Sequence, residues 1–150
     1  MEIIYSSTLP FEAERIMAVA VYCSDGRYGD HLDEFLHERL GLPRYDRLAL
    51  PGGAAWLSWR SSTSLSHHGL VTEQIDFLVQ AHGLRRAILI AHFGCAYYAR
   101  RYYGDAESFL PTQIQDLRDA ADLLRRRYPA LHVETYMARA DGDRVQFLTV

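Results

Sequence analysis

Cysteine is scarce in this chain. Only Cys23 and Cys95 occur among 150 residues, too few for the multi-disulfide framework that staples small secreted domains. No apolar run approaches the roughly 20 residues needed to cross a bilayer. The opening M-E-I-I-Y-S-S-T lacks the basic n-region and long apolar h-region of a secretory leader, so a cytoplasmic location with reduced thiols is expected. No basic patch with interleaved aromatics occurs and the net charge is −3, which argues against a nucleic-acid partner. Internal repeats and low-complexity segments are also absent. At this length one domain over 1–150 is expected, burying roughly 70% of its unfolded surface, with 1–14 as a short arm broken by Pro10.

What the chain does contain is organised around Arg15–Arg27, R-I-M-A-V-A-V-Y-C-S-D-G-R. Ile16 to Tyr22 is a short apolar run closed by Ser, Asp and Gly, the pattern of a strand buried on both faces. Directly after it come a thiol, a carboxylate and a guanidinium: Cys23, Asp25 and Arg27. A second run, Ala87 to Ala91, ends the same way on His92 and Cys95. Ligands of open parallel sheets bind beyond the carboxyl ends of the strands, so both stretches deliver reactive groups where chemistry is expected.

Between them, Leu32, Phe35, Leu36 and Leu40 repeat at helical spacing, with Asp30, Asp33 and Glu34 near the positive end of the helix dipole and Gly41-Leu42-Pro43 as a stop. Tyr45–Leu50 predicts a second strand, followed by a P-G-G turn and a Ser-rich loop over 54–66 with at most one helical turn. Val71, Ile75, Leu78 and Val79 predict a helix over about 68–82, ended by Gly83. A short Tyr- and Arg-rich helix is expected at 96–103. A longer one follows after Pro111, where Ile114, Leu117, Ala121, Leu124 and Tyr128 step by three and four, and Pro129 closes it. L-H-V-E-T-Y-M and R-V-Q-F-L-T-V flank Asp141-Gly142, a hairpin signal. The order β-α-β-α-β-α-α-β-β predicts an α/β fold: a mainly parallel sheet flanked by helices, with an antiparallel C-terminal edge.

Cys23, His92 and Cys95 are a Cys₂His set, the thiolate and imidazole donors that zinc prefers, with a fourth position left open. His92-x-x-Cys95 lets one turn supply two of them. Taken singly, a cysteine at a strand end is as readily a small core residue, and His92 a satisfied core histidine; the three together point to a metal. Asp25 and Arg27 read either as a surface ion pair or as a carboxylate held by a guanidinium beside that metal, able to accept a proton from metal-bound water. A phosphatase- or sulfurtransferase-type thiolate loop fits poorly. It needs an Arg five or six places after the Cys, where Tyr28 and Gly29 stand.

C-S-D-G-R followed by an H-x-x-C at the end of a later strand resembles the β-class carbonic anhydrases. L-V-T-E-Q-I-D-F-L ahead of R-A-I-L-I-A-H, and the closing V-E-T-Y-M-A-R-A-D-G-D-R-V-Q-F, are similar to that family as well, from about Arg15 to the end. The resemblance implies Zn²⁺ on Cys23, His92 and Cys95, a catalytic dyad of Asp25 and Arg27, reversible hydration of carbon dioxide to bicarbonate, and a homodimer or larger homo-oligomer. It also has departures. The segment before Cys23 is short for the family's helical arm, and no Gln precedes Cys23. A-L-P-G-G-A stands where the family has an R-N-A-G-N type of turn, and H-F-G-C-A lacks the polar residue before the second Cys and the Gly after it. Two other functions share these ligands: hydrolysis of carbon disulfide or carbonyl sulfide, and a non-catalytic zinc module.

Of the other candidates, His67 and His68 are expected as a helix cap beside Ser66 or a solvated pair, with proton shuttling as the functional reading. His31, His37, His82 and His132 show no ligand spacing. Tyr97, Tyr98, Tyr102 and Tyr103 could pack ordinarily, line a pocket or meet a subunit, and Trp56 and Trp59 could cap a site mouth or a dimer contact.

Overall fold

Five strands pair in the order β2-β1-β3-β4-β5. They are β1 (Ala18–Cys23), β2 (Asp46–Leu50), β3 (Arg86–His92), β4 (His132–Asp141) and β5 (Arg144–Thr149). The helices are α1 (Gly29–Glu34), α2 (Leu65–His82), α3 (Ala96–Tyr102) and α4 (Ala106–Arg127). This computed structural model describes residues 1–61 and 65–150, with the side chains of 65–67 outside that description. The β2, β1, β3 and β4 strands run parallel and β5 returns antiparallel, the expected architecture.

Side chains alternate across a strand, and here both faces are covered. Val19, Val21, Ala87, Leu89 and Val133 pack with Val71 and Ile75 of α2 and with Leu117, Ala121 and Leu124 of α4. Ala18, Ala20, Tyr22, Ile88 and Ile90 pack on the opposite face with Leu32 and Leu36. Each fully buried Leu or Ile contributes about 1.5–3 kcal/mol of transfer free energy, which is why β1 and β3 read as unbroken apolar runs.

The connection from β1 leads outward to β2 on one side, while β3 lies on its other side. Such a reversal opens a crevice between the carboxyl ends of the two strands. Cys23 and His92 stand at those ends. By alternation, Cys23 continues the Val19 and Val21 side and His92 the Ile88 and Ile90 side, so the two reach the crevice from opposite faces.

Three elements differ from expectation for local reasons. The 30–40 helix starts at Gly29, and after α1 it becomes a π-helical turn, Phe35–Arg39, in which the Leu40 N–H donates to the Phe35 carbonyl at 3.2 Å. The wider turn lets Leu36 bury completely while Phe35 stacks on Phe147 of β5. The long C-terminal helix begins ahead of Pro111, because Asp105 caps it by accepting from the Ser108 N–H at 2.8 Å. Pro111 then lies early in the helix, where its missing N–H forfeits one bond. The loop expected over 54–66 opens with a 3₁₀ turn, Gly53–Leu57, and α2 starts at Leu65 rather than His68; 62–64 lie outside the described residues.

That 3₁₀ turn presses against the end of β1. A Cβ on Gly53 would sit 2.8 Å from the Cys23 amide nitrogen and the Tyr22 carbonyl carbon, at φ +54°. Neither obstacle can rotate away, being backbone. Gly53→Ala is expected to destabilise the fold by roughly 2 kcal/mol or more, read as a lower denaturant midpoint; an unchanged midpoint would show that the turn yields freely.

Candidate metal centre

The ligating atoms of Cys23, His92 and Cys95 all lie within 4.8 Å of one another. Cys23 closes β1, His92 closes β3, and Cys95 is the N-terminal cap of α3 after the turn at Phe93 and Gly94. Gly94, at φ +70°, supplies the left-handed step that brings Cys95 round beneath His92. The thiols are free, with Sγ atoms 3.7 Å apart. His92 and Cys95 are buried, at 3% and 2% exposure.

His92 is held by its neighbours on two sides of its ring. Its Nδ1 lies 3.2 Å from the Phe93 carbonyl, which assigns the proton to Nδ1 and leaves the Nε2 lone pair free. The Tyr28 ring lies against it, centroids 4.4 Å apart. Nε2 is buried without a hydrogen-bond partner among the described residues and is 4.0 Å from Asp25 Oδ2. An unpaired buried polar atom is costly, and this one faces two thiols. A soft-donor set of one imidazole nitrogen and two sulfurs, with the imidazole in the tautomer a ligand needs, fits zinc.

The two thiols are electrostatically unequal. The Cys23 thiol is pulled far below an ordinary cysteine by the S–H that Cys95 donates to it; burial opposes this, and His92 and the Gly52 N–H, 3.4 Å from Cys23 Sγ, assist. Cys95 is pushed up because it donates that proton and because it is buried. The pair thus favours one thiolate even before any cation adds its field.

Asp25 and Arg27 form a compact clamp. Asp25 Oδ1 accepts from the Arg27 backbone N–H at 3.1 Å and from Nε at 3.0 Å, and Oδ2 accepts from Nη2 at 2.6 Å. Asp25 caps the 3₁₀ turn Gly26–Tyr28, so the local backbone itself creates the pairing. The Arg27 guanidinium brings the Asp25 carboxyl down to about 2.

The mouth is a cleft of about 220 Å³ lined by Cys23, Ser24, Asp25, Pro51, Cys95, Ala96 and Tyr97. The P-G-G turn, marked in the sequence only as a departure, is part of this wall. Its Gly52 carries the N–H that reaches Cys23, at φ +86°, and a Cβ there would strike the Tyr97 ring at 2.6 Å. A glycine pair directly after a strand that neighbours the Cys23 strand was the available signal.

The other sequence candidates lie elsewhere. His68 is buried rather than solvated: its ring bonds the Trp56 carbonyl at 3.1 Å and stacks on Trp59. The His67 side chain lies outside the described residues. Trp56 braces the mouth from behind, its Nε1 donating to the Pro51 carbonyl at 2.7 Å, while Trp59 is exposed. Tyr97 lines the cleft, Tyr98 is buried, Tyr102 shares a hydrogen bond with Ser61, and Tyr103 projects into solvent. His82 pairs with Asp46 at 2.7 Å and His132 stands 3.6 Å from Glu134. His31 lines a separate cleft, and His37 faces the Tyr45 ring.

The chain superposes on the crystal structure of β-carbonic anhydrase isoform I from Trichomonas vaginalis with a TM-score of 0.58 at 13% identity, covering 96% of this chain and 88% of that one. For carbonic anhydrase from Streptococcus mutans the TM-score is 0.51 at 18% identity, over 89% and 81%. For the β-carbonic anhydrase CafD of Aspergillus fumigatus it is 0.53 at 12% identity, over 95% and 94%. Among curated proteins, an uncharacterized protein of Rickettsia conorii is 24% identical over 128 residues, 81% of this chain and 67% of that protein. Residues 13–146 match the family model described as "Putative carbonic anhydrase". The match spans nearly the whole chain, and this protein belongs to that family, on the β-carbonic-anhydrase fold.

Proposed function

We infer that the chain is a zinc enzyme that hydrates carbon dioxide reversibly to bicarbonate. The observation that carries this reading is the buried, unpartnered Nε2 of His92 within 4.8 Å of two thiols. Cys23, His92 and Cys95 are the residues that would hold the ion. Zinc bound to such a set supplies the Lewis acidity that brings the ionisation of a water to near pH 7.

The remaining chemistry belongs to the chain. Asp25, kept ionised by Arg27, is too weak a base to take a proton near neutrality. Its part is to accept a hydrogen bond from the reacting water and orient it, through an oxygen fixed by the clamp. Arg27 keeps that carboxylate turned to its own guanidinium and prevents it from swinging in as a fourth ligand. Pro51, Ala96 and the Tyr97 ring give the cleft uncharged walls, suited to a small, neutral, linear substrate. The proton leaves through the open mouth to solvent.

The N-terminal residues Ile3, Ile4, Leu9 and Phe11 are 79–94% exposed, an apolar arm tied to the body by the Arg44–Glu12 ion pair. That favours a homodimer, and light scattering at micromolar concentration is expected to give at least twice the 17.2 kDa chain mass; a monomer would reject it.

Purified protein is expected to carry about one zinc per chain, the stoichiometry of a single three-donor set, and Cys95→Ser is expected to lose it. Metal analysis that finds Cys95→Ser fully loaded would dismiss this ligand set. In stopped-flow hydration with a pH indicator, Arg27→Ala is expected to retain zinc while kcat/KM falls by roughly 100-fold, the scale of a misplaced reactive group. A wild-type rate would reduce Asp25–Arg27 to a surface ion pair. Zinc-loaded protein that turns over carbonyl sulfide or carbon disulfide, and not carbon dioxide, would redirect the substrate; zinc-loaded protein inert to all three would indicate a binding module.

A further inference from the structure

Helix α4 packs on the sheet through Leu117, Ala120, Ala121 and Leu124, yet its buried face also carries Gln113 and Asp116, which are 0% and 1% exposed. Interior positions on a helix are ordinarily apolar, since a buried amide or carboxylate must find partners to offset lost hydration. Gln113 donates from Nε2 to the carbonyl of His92 at 3.0 Å, while its Oε1 is buried without a partner. Asp116 accepts from the Ser58 hydroxyl at Oδ1 and from the Tyr98 hydroxyl at Oδ2, both at 2.7 Å. Both donors are buried and neutral.

Each bond leads to a different donor of the candidate centre. Gln113 holds the main chain of His92 itself. Tyr98 sits in the first turn of α3, its N–H bonded to the carbonyl of Cys95 at 3.0 Å, and its ring clusters with Cys95, Ala55 and Phe109. Ser58 closes the 3₁₀ turn Gly53–Leu57 by donating to the Ala55 carbonyl, and that turn follows Gly52, whose N–H points at Cys23 Sγ. Residues 113 and 116, one helical turn apart and therefore on one face, thus reach the backbone behind His92, Cys95 and Cys23 together.

We propose that Gln113 and Asp116 are positioning residues for the metal centre: α4 sets the spacing of all three ligands through them, the last two by way of Tyr98 and Ser58. The proposal rests on the zinc reading above. It differs from ordinary interior hydrogen bonding in what it requires. Loss of these groups must weaken metal binding beyond what lost stability explains, because outer partners orient the ligands.

The test compares Gln113→Leu, Asp116→Asn and Tyr98→Phe with Leu124→Ala, which opens a cavity on the same helix face away from the centre. Zinc dissociation constants are measured on folded protein by competition with a chromophoric chelator, and the thiolate-to-metal charge-transfer band is recorded on the Co²⁺-loaded forms. The expected result is 10- to 100-fold weaker zinc binding in the first three variants, with a shifted cobalt band, and an unchanged constant and band in Leu124→Ala. If Asp116→Asn fails to fold, Tyr98→Phe, which leaves the Ser58 bond intact, carries the decision. Gln113→Leu and Tyr98→Phe binding zinc as tightly as Leu124→Ala, while the unsubstituted chain binds it well, would overturn the proposal alone. An unsubstituted chain that takes up no zinc would overturn the zinc reading and the proposal with it.

Discussion

A buried imidazole nitrogen with no hydrogen-bond partner costs on the order of 1–3 kcal/mol if nothing compensates it, and the carboxyl end of this sheet is arranged around one. His92 gives its Nδ1 proton to a backbone carbonyl, stacks against Tyr28 and turns Nε2 toward Cys23 and Cys95. An interior selected for folding alone would place a donor there, or an apolar side chain. Instead, two sulfurs occupy the space, one of them favoured as thiolate through the S–H of Cys95 and assisted by the Gly52 N–H. The local free energy is thus left incomplete in a way that a thiophilic cation would complete, drawing on groups that are already desolvated and oriented.

Topology explains why those groups meet. The chain leaves β1 for β2 on one side and later brings β3 down the other, so two parallel strands end next to each other with their connections diverging. Strand alternation then sends Cys23 and His92 into the crevice from opposite faces of the sheet, and the positive-φ step at Gly94 folds Cys95 back beneath them. The same crossing point is where Gly53 approaches the β1 backbone most tightly. Scaffold and centre therefore share constraints, since a change that loosens the turn after β2 also loosens the donor to Cys23.

Much of this was legible in the sequence because the relevant signals are strong and local. Unbroken apolar runs that end abruptly in Cys, His, Asp or Arg mark buried strands with chemistry at their tips, and the parallel sheet follows from strand–helix alternation. The parts that stayed hidden depend on partners far away in sequence. Gln113 and Asp116 look like ordinary polar positions of an amphipathic helix; only the packed structure reveals that they point inward, at His92 and at Tyr98 and Ser58. The cap at Asp105 starts the helix ahead of the breaker at Pro111, which then costs one helical bond in the second turn. His68 was misjudged for the reverse reason. Its polar neighbours suggest solvent, whereas the Trp56 carbonyl and the Trp59 ring enclose it.

The replaced turn shows how such a site can diverge without dissolving. Where the resemblance leads to an expectation of polar side chains after the second strand, this chain has Pro51, Gly52 and Gly53, yet the Gly52 N–H still reaches Cys23 Sγ at 3.4 Å. The reason is that the contribution at this point comes from the main chain. An N–H aimed at a thiolate needs a particular backbone path, with φ +86° at Gly52 and no Cβ to meet Tyr97. The Asp25–Arg27 clamp has the opposite character, because both oxygens are held by one guanidinium in side-chain geometry that lysine could not reproduce. Substitution is therefore costly at both places, at Gly52 because the backbone path leaves no room for a Cβ, and at Asp25 and Arg27 because the side chains themselves make the bonds.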